Sequence, residues 1–582
     1  MSGPMYGVAA ITAVTLATVL IGTYALRLSR TTSDFYVASR TVSPWWNASA
    51  IGGEYLSAAS FLGIAGLILA YGADMLWFPV GYTAGYLVLL VLVAAPLRRS
   101  GAYTLPDFAE ARLESTSVRR VASVMVVLIG WLYLLPQLVG AGLTLRLTTG
   151  VPQWLGGLLV AAVVVFSVAT GGMRSITFVQ AFQYWLKLTA LAVPVVFLVI
   201  AWRADGAPTP ADSPTPVFRQ ETTVTVPSTL AFVVTQPVTV TASGVVDGRR
   251  YDGEQLDLAG GTHTARSRTE LTFPAGVAVP HSRQVRATSD TDWARPLSGA
   301  GGREHPLYTT YSLILALFLG TMGLPHVLVR FYTNPDGRAA RRTTLFVLCL
   351  LGGFYLLPTV YGALARLYTP ELLLTGRTDG AVLLLPARLV GGNLGDVLGA
   401  LVTAGAFAAF LSTSSGLTVS VAGVLSQDVL RGGVRDFRVA AALAVTVPFA
   451  LSLMVTSLRV ADVVGLAFAV AASSFCPLLV LGIWWRRLTA VGAMAGLLVG
   501  GGLATAAVTA TIAGAADGGW VRALLAQPAA WTVPIAFVVM VAVSARTQGR
   551  LPANAGRTMV QLHAPESLPL RRDRVERRRP QL

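Results

Sequence analysis

Along almost the whole chain, apolar residues come in stretches of about 18 to 25, and charges are confined to short segments between them. Each stretch matches the hydrocarbon layer of a bilayer, where a helix satisfies its own backbone polar groups. The pattern predicts about thirteen transmembrane helices, over 5–26, 45–70, 75–97, 120–147, 153–171, 176–202, 307–330, 343–366, 395–424, 439–457, 460–484, 489–514 and 529–545. One region breaks the rhythm. From 204 to 306 Thr, Ser, Pro and Gly alternate with apolar residues, as in Thr222-Thr223-Val224-Thr225-Val226 and Pro237-Val238-Thr239-Val240-Thr241. That period of two favours strands. The segment is long for a plain loop and reads as a small β-rich insert, with a disordered linker as the alternative.

Charge refines the picture. With 54% hydrophobic and 12% charged residues, a single water-soluble core is excluded. The net charge of +16 does not point to nucleic acid, because the arginines cluster in alternate loops. These hold Arg27, Arg30 and Arg40; Arg98, Arg99, Arg112, Arg119 and Arg120; Arg174; Arg338, Arg341 and Arg342; Arg431, Arg435 and Arg438; and Arg486 and Arg487. The basic tail, Arg571 to Arg579, falls on the same side by helix count. The expectation is a multi-pass protein of the cell membrane, N-terminus outside and C-terminus cytoplasmic, with the insert outside. Val8 to Leu26 precedes its arginines, the reverse of a signal peptide's order, and reads as a retained first helix. Cys349 and Cys476 fit neither a disulfide framework nor a zinc site and read as small buried residues. His263 and His281 lack ligand spacing and read as surface histidines.

Two spans look interrupted. Gly52-Gly53-Glu54-Tyr55-Leu56-Ser57-Ala58-Ala59-Ser60-Phe61-Leu62-Gly63 concentrates small residues, hydroxyls and a carboxylate in the second span. Gly320-Thr321-Met322-Gly323-Leu324-Pro325-His326 breaks the seventh. Breaks of this kind free carbonyls and helix ends for a substrate or ion, although Gly and Ser also serve close helix packing. They open the two halves of a five-plus-five inverted repeat inferred from helix count. In the ninth span Ser412-Thr413-Ser414-Ser415 offers neutral oxygens to a hard cation; the competing reading is back-bonding to the preceding turn. Lys187, the only lysine in the chain, lies near the centre of the sixth span, where a charge is costly unless paired or solvated. Two roles follow for it: counter-charge to an anionic substrate, or a charge pair with Glu54 that gates or couples transport. Gln180 and Gln183 share a similar face and could line the same cavity or bond between helices, and Arg330 reads as an interface anchor.

These segments resemble the sodium:solute symporter family, within it the branch of cation/acetate and related monocarboxylate symporters. The resemblance covers roughly 30–200 and 305–490 and is carried by Ser33 to Ala38, Ser57 to Gly63, Gly323 to Thr333 and Ala409 to Thr413. It implies an all-α integral membrane protein with the leucine-transporter-like 5+5 inverted repeat. It implies a sodium ion held by the carbonyls of Gly53, Leu56 and Ala409 and the hydroxyls of Ser412 and Thr413, with Ser57 close to the substrate. Some relatives carry Asp or Asn at the position of Tyr55, whereas here the carboxylate stands at Glu54, which is given no ligand role.

The expected organisation is 1–44, first helix and cytoplasmic linker; 45–203, first repeat; 204–306, extracytoplasmic insert; 307–487, second repeat; 488–545, peripheral helices; and 546–582, basic tail. The expected function is sodium-coupled symport of a small organic anion, a short monocarboxylate such as acetate, propionate or pyruvate. Ser57, Gln183, Lys187 and Gly323 are the candidate substrate contacts. Proton coupling, an amino-acid or sugar substrate, a channel, and a transporter-shaped receptor or scaffold are the alternatives. No catalytic constellation or phosphate loop is present, so a secondary transporter is expected rather than an enzyme, with no covalent cofactor. Its partners are the solute, sodium and the bilayer, without nucleic acid, and a small membrane subunit is left open.

Overall fold

Wherever the apolar stretches run among the described residues, the chain is helical, and 76% of those residues are helix. The computed structural model describes residues 3–26, 38–210, 215–226, 228–282, 285, 288–297, 305–430, 433–454, 460–515, 518–565 and 568. Ser33 to Val37, and with them Asp34 and Tyr36, lie outside the described residues, as do Arg27, Arg30, Arg431 and the tail arginines Arg571 to Arg579. Among the described residues, 11 helical stretches are long and apolar enough to cross a membrane. Two of them, Ala58–Arg99 and Gln153–Ala204, run 42 and 52 residues, well beyond the roughly 20 that one crossing needs. Each is interrupted near its middle by a glycine at positive φ, Gly72 at 69° and Gly172 at 57°, a conformation that costs glycine little.

The helices that build the centre are α1 (Gly3–Leu26), α2 (Pro44–Tyr55), α3 (Leu62–Tyr71), α4 (Trp77–Val88), α5 (Thr116–Thr149), α6 (Gln153–Ala204), α7 (Pro306–Gly323), α8 (Pro325–Val329), α9 (Gly337–Tyr368), α10 (Gly392–Val424), α11 (Val434–Met454) and α12 (Val460–Trp484). The span expected at 45–70 is thus two helices, α2 and α3, and that at 307–330 is α7 and α8. The second half of α6 packs between α2 and α10, and α7 lies along α12 and α4. Small residues set these contacts. A Cβ on Gly52 would come within 2.8 Å of the Tyr184 ring, one on Gly53 would collide with the Gln180 carbonyl, and one on Gly323 with that of Ala471. Backbone therefore meets backbone along both interrupted helices, as small residues permit in membranes.

Between α6 and α7, among the described residues, seven strands form one antiparallel sheet: β1 (Thr222–Thr225), β2 (Leu230–Val234), β3 (Val238–Val246), β4 (Arg249–Leu258), β5 (Gly261–Ala265), β6 (Glu270–Phe273) and β7 (His281–Ser282). Val224, Phe232, Val240, Ala242, Leu271 and Phe273 are buried in it. His263 pairs with Asp247 at 2.6 Å. The sheet is tied to the helical body by the turn Asp290–Ala294. Trp293 donates its indole N–H to the carbonyl of Ile68 at 2.6 Å, and Arg366 of α9 donates to Asp290 at 2.9 Å and to the Thr288 carbonyl at 2.7 Å. Gly72 makes room for this turn, because a Cβ there would overlap the Trp293 carbonyl.

Candidate functional site

The first break begins where the α-helical ladder of α2 fails. In a continuous helix the amide of Ser57 would bond Gly53 and that of Ser60 would bond Leu56. Instead Ser57 N–H goes to Tyr55 at 2.8 Å and Ser60 N–H to Ser57 at 2.9 Å, since Leu56 and Ser57 adopt ψ of 78° and 170°. The carbonyls of Gly53 and Leu56 are thereby left without backbone partners, and buried carbonyls must find others. They find Lys187. Its ammonium, on a side chain with no exposed surface, donates to Gly53 O, to Leu56 O at 2.8 Å and to Ser412 Oγ at 3.0 Å. Ser412 Oγ in turn donates to Ala409 O at 3.1 Å, and Thr413 Oγ1 reaches across to Glu54 O at 2.7 Å. The structure therefore brings together all five residues expected to hold sodium, and it places the nitrogen of Lys187 on three of their oxygens. Thr413 does not back-bond within its own helix; its hydroxyl closes the gap between α10 and the break.

Glu54 makes no hydrogen-bonded ion pair with Lys187, the second of the two roles open to that lysine. Its carboxylate receives Arg330 Nε at 2.7 Å. Arg330 also donates to Thr177 Oγ1 at 2.8 Å and to Gln180 Oε1, and Gln180 Nε2 donates to Ser412 O at 2.8 Å. Both Glu54 and Arg330 are 1% exposed, so Arg330 is no interface anchor. The extended backbone at Leu324, φ −74° and ψ 116°, followed by Pro325 starts a new helix and directs Arg330 back into the protein. Gln180 and Gln183 separate as well: Gln183 donates to Thr18 of α1 at 3.1 Å. Gly323 lies against α12.

Ser57, buried beside Tyr133, opens onto an aromatic cluster that sequence reasoning did not assemble. Tyr82 stacks on Tyr355 with ring centroids 5.8 Å apart, Phe468 packs on Tyr82 at 5.0 Å, and Tyr133 meets His326 edge-on at 5.2 Å. Tyr55 hydrogen-bonds Thr321 at 2.8 Å and so connects the first break to the second. The hydroxyl of Tyr86 and both ring nitrogens of His326 are buried and make no hydrogen bond among the described residues. Unpaired buried polar groups are costly, and a polar solute is one way to satisfy them. The cluster joins residues from α4, α5, α8, α9 and α12, which is why no local motif announced it.

A model of the sodium:solute symporter family matches residues 35–209 and 279–500. The chain belongs to this family. It is 31% identical over 83% of its length, and 82% of the relative's, to a protein of Bacillus subtilis named uncharacterized symporter YwcA. It is 29% identical over 89% of its length, and 87% of the relative's, to the monocarboxylic acid transporter of Corynebacterium glutamicum. Two solved structures share the fold. A Na+-coupled sialic acid symporter in a substrate-bound outward-open state aligns with a TM-score of 0.61 at 15% identity, covering 93% of this chain and 98% of that one. A nucleobase-cation-symport-1 family transporter in a closed conformation aligns with a TM-score of 0.50 at 13% identity, covering 90% and 98%. The chain is thus a multi-pass membrane protein and a secondary transporter with the leucine-transporter-like fold of its structural neighbours.

Proposed function

We propose that this chain is a cation-coupled symporter of a small organic anion, a short monocarboxylate such as acetate, propionate or pyruvate, working by alternating access. The observation that carries this reading is the charge of the buried centre. Around the first break, Lys187 and Arg330 bring two positive charges and Glu54 one negative, which leaves one positive charge deep among the helices. Uncompensated charge is costly there, and a bound carboxylate neutralises it. Ser57, Tyr86, Tyr133 and His326 supply polar groups that a carboxylate and its carbonyl or hydroxyl substituents can use. The printed name of the Corynebacterium relative points the same way.

In this reading the two interrupted long helices each cross twice, which makes thirteen crossings with the N-terminus and the sheet insert outside. The segments 45–203 and 307–487 are the inverted repeats. Coupling is then a difference in the affinity of two conformations for two ligands. The family's namesake ion is sodium, and a proton is the second arm of the test because Lys187 stands on the oxygens that sodium would use. Uptake of labelled acetate and pyruvate into proteoliposomes under an inward sodium gradient, and separately under a proton gradient, tests the proposal. Saturable accumulation with either gradient supports it, and no accumulation of either acid under both gradients sinks the substrate class.

A further inference from the structure

We infer that the cation of the cage between the first break and α10 is this chain's own Lys187 ammonium, so that a sodium site is filled from within and no sodium ion binds there. The inference rests on the reading of this site as the symporter's cation cage. A lysine ammonium has three N–H donors and no acceptor, and here three oxygens from two separate helices receive them: Gly53 O, Leu56 O at 2.8 Å and Ser412 Oγ at 3.0 Å. None is an acid. The carboxylate closest in sequence, Glu54, is engaged by Arg330. The ammonium is therefore solvated at short range by neutral oxygens, as an alkali ion is, rather than held in an ion pair, and its net charge stays in the site.

The surroundings are built for the stem. Gly53 has no Cβ to strike Gln180, and Gly405, whose Cβ would lie 2.7 Å from Ala190 and 3.8 Å from Lys187 Cα, lets α10 close over α6. The four-carbon chain then spans from α6 to the break with no exposed surface. Residue choice agrees with this. Of 44 Lys and Arg residues this is the only lysine, and a compact ammonium suits a three-oxygen cage that a planar guanidinium does not. Nitrogen at hydrogen-bond distance from these oxygens leaves no volume among them for another cation, and two like charges so close repel.

Sodium binding to the purified full chain tests this without reference to transport. Binding of labelled sodium, and the Tm in sodium against potassium at equal ionic strength, are compared for wild type, Ser412→Ala, Lys187→Ala and the Lys187→Ala, Ser412→Ala double variant. Wild type is expected to show no sodium binding that Ser412→Ala removes. Lys187→Ala is expected to gain saturable sodium binding and a sodium-specific rise in Tm, as a ligand of the folded state produces, and the double variant to lose both. Sodium binding by wild type that Ser412→Ala abolishes overturns the inference, and so does a folded Lys187→Ala that gains none. Where Lys187→Ala does not fold, wild type against Ser412→Ala decides alone. Failure of acetate and pyruvate uptake with the sodium results as expected would remove the proposed substrate and leave the filled cage standing.

Discussion

Replacing Glu54 by glutamine isolates the charge of the buried network from its shape. Glutamine keeps the volume and one oxygen, so no cavity forms, and the Gly416 backbone that lies against the Glu54 carboxyl is undisturbed. What is lost is the counter-charge of Arg330, which is 1% exposed and held by Glu54 at 2.7 Å and Thr177 at 2.8 Å. Removing one member of a buried ion pair costs about 3–5 kcal/mol, because the remaining charge stays buried without compensation. Here the cost falls at the upper end, since the local excess rises from one positive charge to two with Lys187 nearby. Removing both members restores the balance. Glu54→Gln, Arg330→Met should therefore lose less than the sum of its single variants, by about 1–3 kcal/mol of coupling. Reversible unfolding with sodium dodecyl sulfate in mixed micelles, followed by tryptophan fluorescence, reads all four corners of the cycle. A Glu54→Gln cost below about 1 kcal/mol, or additive singles, would refute the reasoning and mean that water reaches the pair.

Three further outcomes follow from particular contacts. Gly416→Ala puts a methyl group onto the Glu54 carboxyl and should destabilise by about 1–3 kcal/mol, as overpacking does; adding Glu54→Asp, which retracts the carboxyl, should recover part of that loss in the same unfolding assay. Trp293→Phe keeps an aromatic ring but deletes the 2.6 Å bond to Ile68 O, which still accepts the Gly72 N–H, so the cost is that of one lost hydrogen bond, about 1 kcal/mol, and amide exchange over 290–294 should quicken. In the sheet insert, burial alone would lower the His263 pKa, but the Asp247 carboxylate outweighs it and the net shift is upward; Asp247, which burial alone would raise, is lowered by the same histidine. The histidine's contribution to stability is complete below its unfolded value of about 6.5 and is lost as pH rises through its folded pKa. The aspartate's is present above its unfolded value of about 3.9 and is lost as pH falls through its folded pKa. An NMR titration of labelled histidine in the full chain should show His263 titrating high, and Asp247→Asn should return it to the ordinary range.

What the residue order revealed about this fold was local chemistry. Gly52, Gly53 and the following hydroxyls marked the first break and Gly323, Leu324 and Pro325 the second, because departures from helical hydrogen bonding are written in a few neighbouring residues. The alternation at Val238 to Thr241 marked a strand for the same reason. Arg330 escaped because its position after Pro325 looks like the end of a span; only the new helix direction set at Leu324 turns it inward, toward a glutamate 276 residues away. A signal for its partners was present. Thr177, Gln180, Tyr184 and Lys187 recur at spacings of 3, 4 and 3, which places them along one helical face, whereas Gln183 sits at that face's edge and meets α1 instead. Backbone and side chain also part company at Glu54: its carbonyl faces Thr413 and its carboxylate faces Arg330, so proximity of Glu54 to the cage did not imply a pair with Lys187.

The arrangement explains how one short irregular segment can link a cation to a solute. Gly53 O and Leu56 O belong to the cage, while Tyr55 between them and Ser57 after them belong to the aromatic cluster. With so few residues and two freed carbonyls, the cage cannot open or shift without rotating the peptides that aim Tyr55 and Ser57. Tyr55 carries that rotation to Thr321, in the turn just before the second break, so both interrupted helices respond together. A cation that holds these carbonyls in one geometry thereby favours one arrangement of the cluster, and a solute that completes the hydrogen bonds of His326 and Tyr86 in that arrangement favours the cation in return, since linkage is reciprocal. In the proposed symport, a tethered cation such as Lys187 performs the first half of this exchange only by leaving and re-entering the cage, so the length and mobility of its side chain become part of the coupling, a requirement that a freely diffusing ion would not impose.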